Sequence, residues 1–237
     1  MTIALTETSK TSLALPHRKF GEELIYYPES DGKPIGETDL HIILITELFN
    51  ILKTHFHHAL DVKVIADMMF YYEEGNPQKC ISPDVMVVKG VGKHLRRVYK
   101  TWEEKIPDVI FEISSRKTWR EDIQKKYTLY QGLGVKEYYI FDPEYKYLAE
   151  PLLAHHLKDG TFRPIKVKKH QVFSPCLNLE IIDTGETLRL LNPETNEFLL
   201  NNEELVQTNE VLAHKLSKAD DEIERLKAEL AKLKKEK

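Results

Sequence analysis

The chain has 237 residues, 41% of them hydrophobic and 30% charged, with a formal net charge of −4 and a pI near 6.2. That length allows one substantial core plus an appendage, and the apolar share excludes a chain that is disordered throughout. The acidic balance excludes a protein that coats nucleic acid through excess positive charge, so any such contact must be local.

Residues 1–15 are rich in Ser and Thr, show no sustained period and read as a loose tail, with folded structure starting near Pro16. The opening MTIALTETSKTSLALPHRKF has no basic start followed by an apolar run, and no later segment approaches eighteen consecutive apolar residues. Neither secretion nor membrane spanning is expected. Cys80 and Cys176 are far apart with no CxxC or Cys/His spacing, which suggests neither a disulfide framework nor a zinc site and fits a reducing cytoplasm.

TDLHIILITELFNILKTHF places Leu40, Ile43, Leu44, Leu48, Ile51 and Leu52 at helical intervals between polar Glu37, Asp39, His41 and Glu47, which predicts an amphipathic helix. Acids at its start favour the helix dipole, so capping is the default role there, with Glu37 a candidate for a second metal. DVKVIADMMFYYEE alternates and predicts a strand. CISPDVMVVKG gives a second strand just after Pro83, and PDVIFEISS a third after Pro107. Between these two, KGVGKHLRRVYKTWEEK carries Lys89, Lys93, His94, Arg96, Arg97 and Lys100 and reads as a basic loop or hairpin. With Arg116, Lys117 and Arg120 it is either a groove for a phosphate backbone or simply a charged loop. TWREDIQKKYTLYQGLG opens on a capping-box spacing, Thr118 to Glu121, and closes at Gly134, implying a helix of about four turns. VKEYYIFDP then predicts a strand, and KYLAEPLLAHHL, TFRPIKV and LNLEII predict further β structure. From about Asn201, Leu212, Leu216, Ala219, Ile223, Leu226, Leu230 and Leu233 recur at four and three, the seam of a coiled coil over 203–237. A single helix folded back on the domain is the alternative.

Asp84 opens one predicted strand and Glu112 lies inside the next, so neighbouring strands bring two carboxylates to one edge of a sheet. Two hard oxygen ligands suit magnesium, which lowers the pKa of bound water and screens phosphate charge. Ser114, two residues on from Glu112, shares its face but supplies no positive charge. Asp122, Lys126 and Tyr130, each four apart, stack on one face of the helix and offer that charge from Lys126. Lys125 points about 100° away. Lys126 either orients or deprotonates the attacking water or stabilises the phosphorane-like transition state. Taken singly, Asp84 is a turn residue, Lys126 a solvated helix lysine and Asp122 its partner. Glu112 within VIFEI instead requires a metal, a lysine or an exposed face. Asp67 either shapes the site or serves a strand turn, and His57 and His58 lack a matched ligand.

The order ETDLH, DMMFYY, SPDVMVVKG, PDVIFEISS, REDIQKKYTLYQGLGVKEYYIFDP and LNLEI over residues 16–200 resembles the Uma family of restriction-endonuclease-like proteins, within the PD-(D/E)XK nuclease superfamily. The resemblance implies an α/β (α+β) restriction-endonuclease-like core, a mixed β-sheet flanked by helices, with Mg2+ or Mn2+ as cofactor. It puts the metal-binding acids on Asp84 and Glu112; the Ile113 carbonyl is the expected third ligand on our own reading of the site. The catalytic lysine falls on Lys126, displaced from the strand to the helix, and Ser114 stands where the superfamily usually has it. Asp122 and Tyr130 match the family's helix pattern in supporting roles. The expected activity is metal-dependent hydrolysis of DNA by an endonuclease, paired as a dimer through the coiled coil. The rivals are a catalytically inactive nucleic-acid-binding module that keeps the fold and an interaction protein whose coiled coil carries the function.

Overall fold

The computed structural model describes residues 25–30 and 38–235, apart from the side chains of residues 229, 231–233 and 235. The expected tail, the start near Pro16 and Glu37 lie outside them. Thr38 opens the first helix, α1 (Asp39–His55), its hydroxyl accepting from the His41 N–H at 3.3 Å. The buried stripe is His41, Leu44, Leu48, Ile51 and Leu52, whereas Leu40 and Ile43, expected to face the core, are 40% and 58% exposed. The helix is therefore rotated toward His41, which the sequence places among the polar positions.

The strand expected from DVKVIADMMFYYEE is two: β1 (Val62–Ala66) and β2 (Phe70–Tyr71), broken at Asp67, whose φ is +45°. Asp tolerates that left-handed conformation better than most residues. The next expected strand is likewise divided at Ser82-Pro83, giving β3 (Cys80–Ile81) and β4 (Val85–Lys89). The basic segment forms no hairpin. Its β5 (Tyr99–Lys100) pairs in parallel with β2, and β6 (Val109–Ile113) follows.

The expected four-turn helix is present with a change in its middle. A short α2 (Trp119–Glu121) leads into a π-helical segment, Asp122–Lys126, and then α3 (Tyr127–Leu133). The capping box does not form. Thr118 is helical in its own backbone and makes no cap bond; its hydroxyl accepts from the Ser115 N–H at 3.0 Å, and Glu121 pairs with Lys125 at 2.7 Å. Gly134 ends the helix as expected, at φ +88°.

After β7 (Glu137–Phe141) come β8 (Leu152–Lys158), β9 (Thr161–Ile165), β10 (Gln171–Ser174), β11 (Leu179–Asp183), β12 (Leu188–Asn192) and β13 (Glu197–Phe198). A six-stranded mixed sheet runs β1-β4-β6-β7-β8-β9, with β6 and β7 parallel and the remaining pairs antiparallel. Beside it lie a four-stranded sheet, β10-β11-β12-β13, and a three-stranded one, β3-β2-β5.

Strand alternation divides the core into two layers. Val109, Phe111 and Ile113 of β6 point into a cluster shared with α1 and the four-stranded sheet. Ile110 joins Met86, Tyr138 and Ile140 on the opposite face, under Tyr130 of α3. Glu112 is in phase with Ile110, so the register alone sends this carboxylate to the α3 side. The last helix, α4 (Asn202–Lys235), continues for 34 residues. Its start is tied down by Arg189, which donates to Glu204 at 3.0 and 2.8 Å, and by Asn201, which donates to Glu47 at 2.9 Å. Among the described residues no helix is long and apolar enough to cross a membrane.

Candidate active site

The β4–β6 ladder opens where the two expected acids stand. Val85 lies opposite Phe111, so the same register carries Pro83 opposite Ile113. Pro83 has no N–H to donate, and its carbonyl already accepts from the Asp67 N–H at 3.2 Å. The Ile113 N–H turns instead to the Asp84 carboxylate, donating to Oδ2 at 2.6 Å. A proline thus frees the strand end, and Asp84 is drawn to within one residue of Glu112. His41 Nε2 from the start of α1 stands 3.7 Å from the other Asp84 oxygen.

On the α3 side, the Glu112 side chain is wholly buried and Lys126 is 9% exposed. Lys126 Nζ donates to Glu112 Oε2 at 2.6 Å and lies 3.1 Å from Asp122 Oδ1. The Tyr130 hydroxyl donates to Glu112 Oε1 at 2.7 Å. Ser114 Oγ donates to Asp122 Oδ2 at 2.8 Å, and the Tyr138 hydroxyl to the Asp122 carbonyl at 3.0 Å. The helical spacing therefore brings Lys126 and Tyr130 to the Glu112 carboxylate and Asp122 to the Lys126 ammonium, through the π-helical turn that carries Asp122 and Lys126. Lys125 is exposed, as its angle implied.

Burial drives the Glu112 carboxyl well above its ordinary range, with the Asp84 and Asp122 charges adding to the rise and Lys126 opposing it. Asp122 is raised by burial as well. Burial on its own would lower Lys126, but the Glu112, Asp84 and Asp122 carboxylates outweigh it and hold the ammonium above the usual lysine range. The two partners of this ion pair pull in opposite senses. At 2.6 Å, with Asp122 also at hand, we take the charged ammonium as the governing state.

Three carboxylates face one ammonium, a donor set with hard oxygens and surplus negative charge. Asp84 is the most open of them, its side chain 16% exposed. No group of three or more His, Cys, Asp or Glu side chains is arranged to hold a metal among the described residues. A metal held by Asp84 and Glu112 would draw on two carboxylates and complete its shell largely with water, a set that magnesium accepts. The residues fit such an ion. Each Glu112 oxygen accepts one hydrogen bond and keeps a lone pair.

Asp67 is exposed, and its side chain accepts from Ser82 at 2.9 Å. Its own N–H holds the Pro83 and Asp84 carbonyls at 3.2 Å, so it bears on the site through the backbone that carries Asp84. Two further residues reach the site, His41, expected only as a polar position at the start of α1, and Tyr138. His41 occupies the apolar stripe with Leu44 and Leu48, and that spacing could have exposed it; Tyr138 offers no local sign. The basic segment is largely spent on the protein itself. Lys93 donates to the Phe56 and His57 carbonyls at 2.7 Å, Arg96 is bound to Glu104, Arg97 to Glu29 at 2.6 Å and Lys100 to Glu103 at 2.9 Å. Arg116, Lys117 and Arg120, just beyond Ser114, are exposed.

A crystal structure described as "a putative nuclease belonging to DUF820 from Anabaena variabilis ATCC 29413" is similar at 13% identity, covering 61% of this chain and 76% of that one with a TM-score of 0.46. No curated protein matches. The sequence profile of the Uma2 family, described as "Putative restriction endonuclease", matches residues 15–187, well over half of the chain, and the chain belongs to that family.

Proposed function

We propose that this protein is a divalent-metal-dependent endonuclease that hydrolyses phosphodiester bonds in DNA. What carries the reading is the convergence of Asp84 and Glu112 from neighbouring strands beside a buried lysine, at a ladder end opened by Pro83. Asp84, Glu112 and the Ile113 carbonyl would hold magnesium or manganese. Bound there, the cation supplies a more acidic water and screens the phosphate charge.

The chain's own groups do the rest. Held protonated by three carboxylates, Lys126 acts as a cation that orients the attacking water and stabilises charge building on the phosphate, not as a base. Tyr130 fixes one Glu112 oxygen and Asp122 steadies the ammonium. Arg116, Lys117 and Arg120 contact the phosphate backbone. Two copies joined through α4 present two sites to the two strands of a duplex.

A second reading, a non-catalytic DNA-binding module, draws on one observation. Ser114 stands in the strand position beside Glu112, and the ammonium that replaces a strand lysine is locked between two carboxylates. Plasmid nicking in magnesium or manganese separates the two. The enzyme reading expects nicking that disappears in Asp84→Ala and Lys126→Ala. Nicking that survives both changes overturns it, and salt-sensitive binding without nicking in either metal favours the second reading.

A further inference from the structure

α4 carries an apolar row that nothing among the described residues covers. Leu212, Leu216, Ile223, Leu226 and Leu230 are each 48–64% exposed, although isolated polar helices have no use for such a row. Their spacing of four and three assigns Leu216, Ile223 and Leu230 to heptad position a and Leu212, Ala219 and Leu226 to position d. Counting back one heptad from Leu216 puts Asn209, also exposed, at position a.

From this pattern we propose that α4 is the docking surface for α4 of a second copy, aligned parallel and in register. The inference deepens the protomer pairing of the proposed function and is independent of its chemistry. The flanking charges choose the partner. In a parallel in-register pair, position g of one heptad faces position e of the next heptad in the other helix. Here Lys215 at g faces Asp220 at e, and Glu222 at g faces Lys227 at e. Both pairs are opposite in sign and symmetry doubles them. A fully overlapped antiparallel pair over 209–233 is centred at 221, and it brings Asp220 and Glu222 against their own copies, where like charges repel. Asn209 at an a position meets itself only in the parallel register, which specifies a two-stranded pair at some expense of stability.

The anchoring of the first turn of α4 through Arg189, Glu204, Asn201 and Glu47 gives the orientation its consequence. A parallel pair sets both domains at the same end of the stalk, whereas an antiparallel pair sets them at opposite ends.

The test uses the full-length protein in sedimentation equilibrium together with cysteine cross-linking. Lys215→Glu with Lys227→Glu turns both of these pairs repulsive and weakens the dimer by roughly tenfold to a hundredfold. Asp220→Lys with Glu222→Lys does the same, and an equimolar mixture of the two variants recovers a dimer containing one chain of each. Asn209→Cys under mild oxidation, with the wild type and its Cys80 and Cys176 as control, yields a disulfide-linked dimer, because an antiparallel pair would hold the two copies of residue 209 roughly 35 Å apart. A wild-type dimer that forms no cross-link at 209 overturns the parallel register. A wild-type monomer at high micromolar concentration overturns the docking surface itself. Metal-dependent nicking by the same samples, measured alongside, reports on the catalytic reading separately.

Discussion

Replacing Lys126 with methionine removes the ammonium and keeps most of the stem, so it isolates the charge. Glu112 Oε2 and Asp122 Oδ1 then lose the cation between them, and at zero side-chain exposure for Glu112 no water can take its place. Breaking a buried pair from one side costs about 3–5 kcal/mol. The deficit depends on pH, and its sign follows from Glu112. Burial pushes its folded-state pKa up and Lys126 opposes that rise, so once the ammonium is gone the neutral form is favoured and stability falls as pH rises through the folded value. Losing Lys126, the main opposing influence, raises that value further. Lys126 itself is held above the lysine range, so in the wild type its contribution is constant between pH 5 and 8. Urea denaturation should therefore show the full deficit at pH 8 and only about 1–2 kcal/mol at pH 5, where a protonated Glu112 keeps its Tyr130 bond. Adding Glu112→Gln to Lys126→Met should restore most of the loss at pH 8. A deficit under about 1 kcal/mol at pH 8, or one equal at both pH values, refutes the buried pair as described.

Arg96 and Arg116 should behave oppositely. Arg96→Ala leaves Glu104 without its partner and should lower stability while leaving the salt dependence of DNA binding unchanged, whereas Arg116→Ala with Arg120→Ala should reduce the slope of log affinity against log salt by about 2 without unfolding. Equal salt slopes in the two variants would remove the phosphate contact from this segment. Gly134→Ala meets no atom within 4 Å of the new Cβ, so its cost should be the strain of a left-handed alanine alone, about 1–2 kcal/mol in thermal unfolding; a neutral change would contradict the αL cap.

Much of this fold is local and therefore readable in the chain. The strands that carry Asp84 and Glu112 and the helix that carries Lys126 follow from period and order, whereas the part expected of Lys126 came from the family resemblance. The rest depends on contacts that cross the sequence. Asp84 meets Ile113 across 29 residues, and only the β4–β6 register, with a proline in the wrong place for a ladder bond, explains why. The predicted capping box at Thr118 fails because Ser115 claims that hydroxyl first. The basic segment promised a phosphate groove by composition, but composition does not reveal that Glu104, Glu103 and two main-chain carbonyls lie within reach of its cations. Leu40 and Ile43 show the same limit: two hydrophobic registers were available to α1, and packing against the sheet selected the one that buries His41.

The proposed function rests on Asp84 and Glu112 holding a metal ion together. Calorimetric titration of the protein with manganese, paired with plasmid nicking of the same samples, tests it on wild type and Glu112→Gln. Wild type should bind the ion and nick, and Glu112→Gln should lose both. A wild type that binds no ion, or a Glu112→Gln protein that binds and nicks as well as wild type, would contradict it.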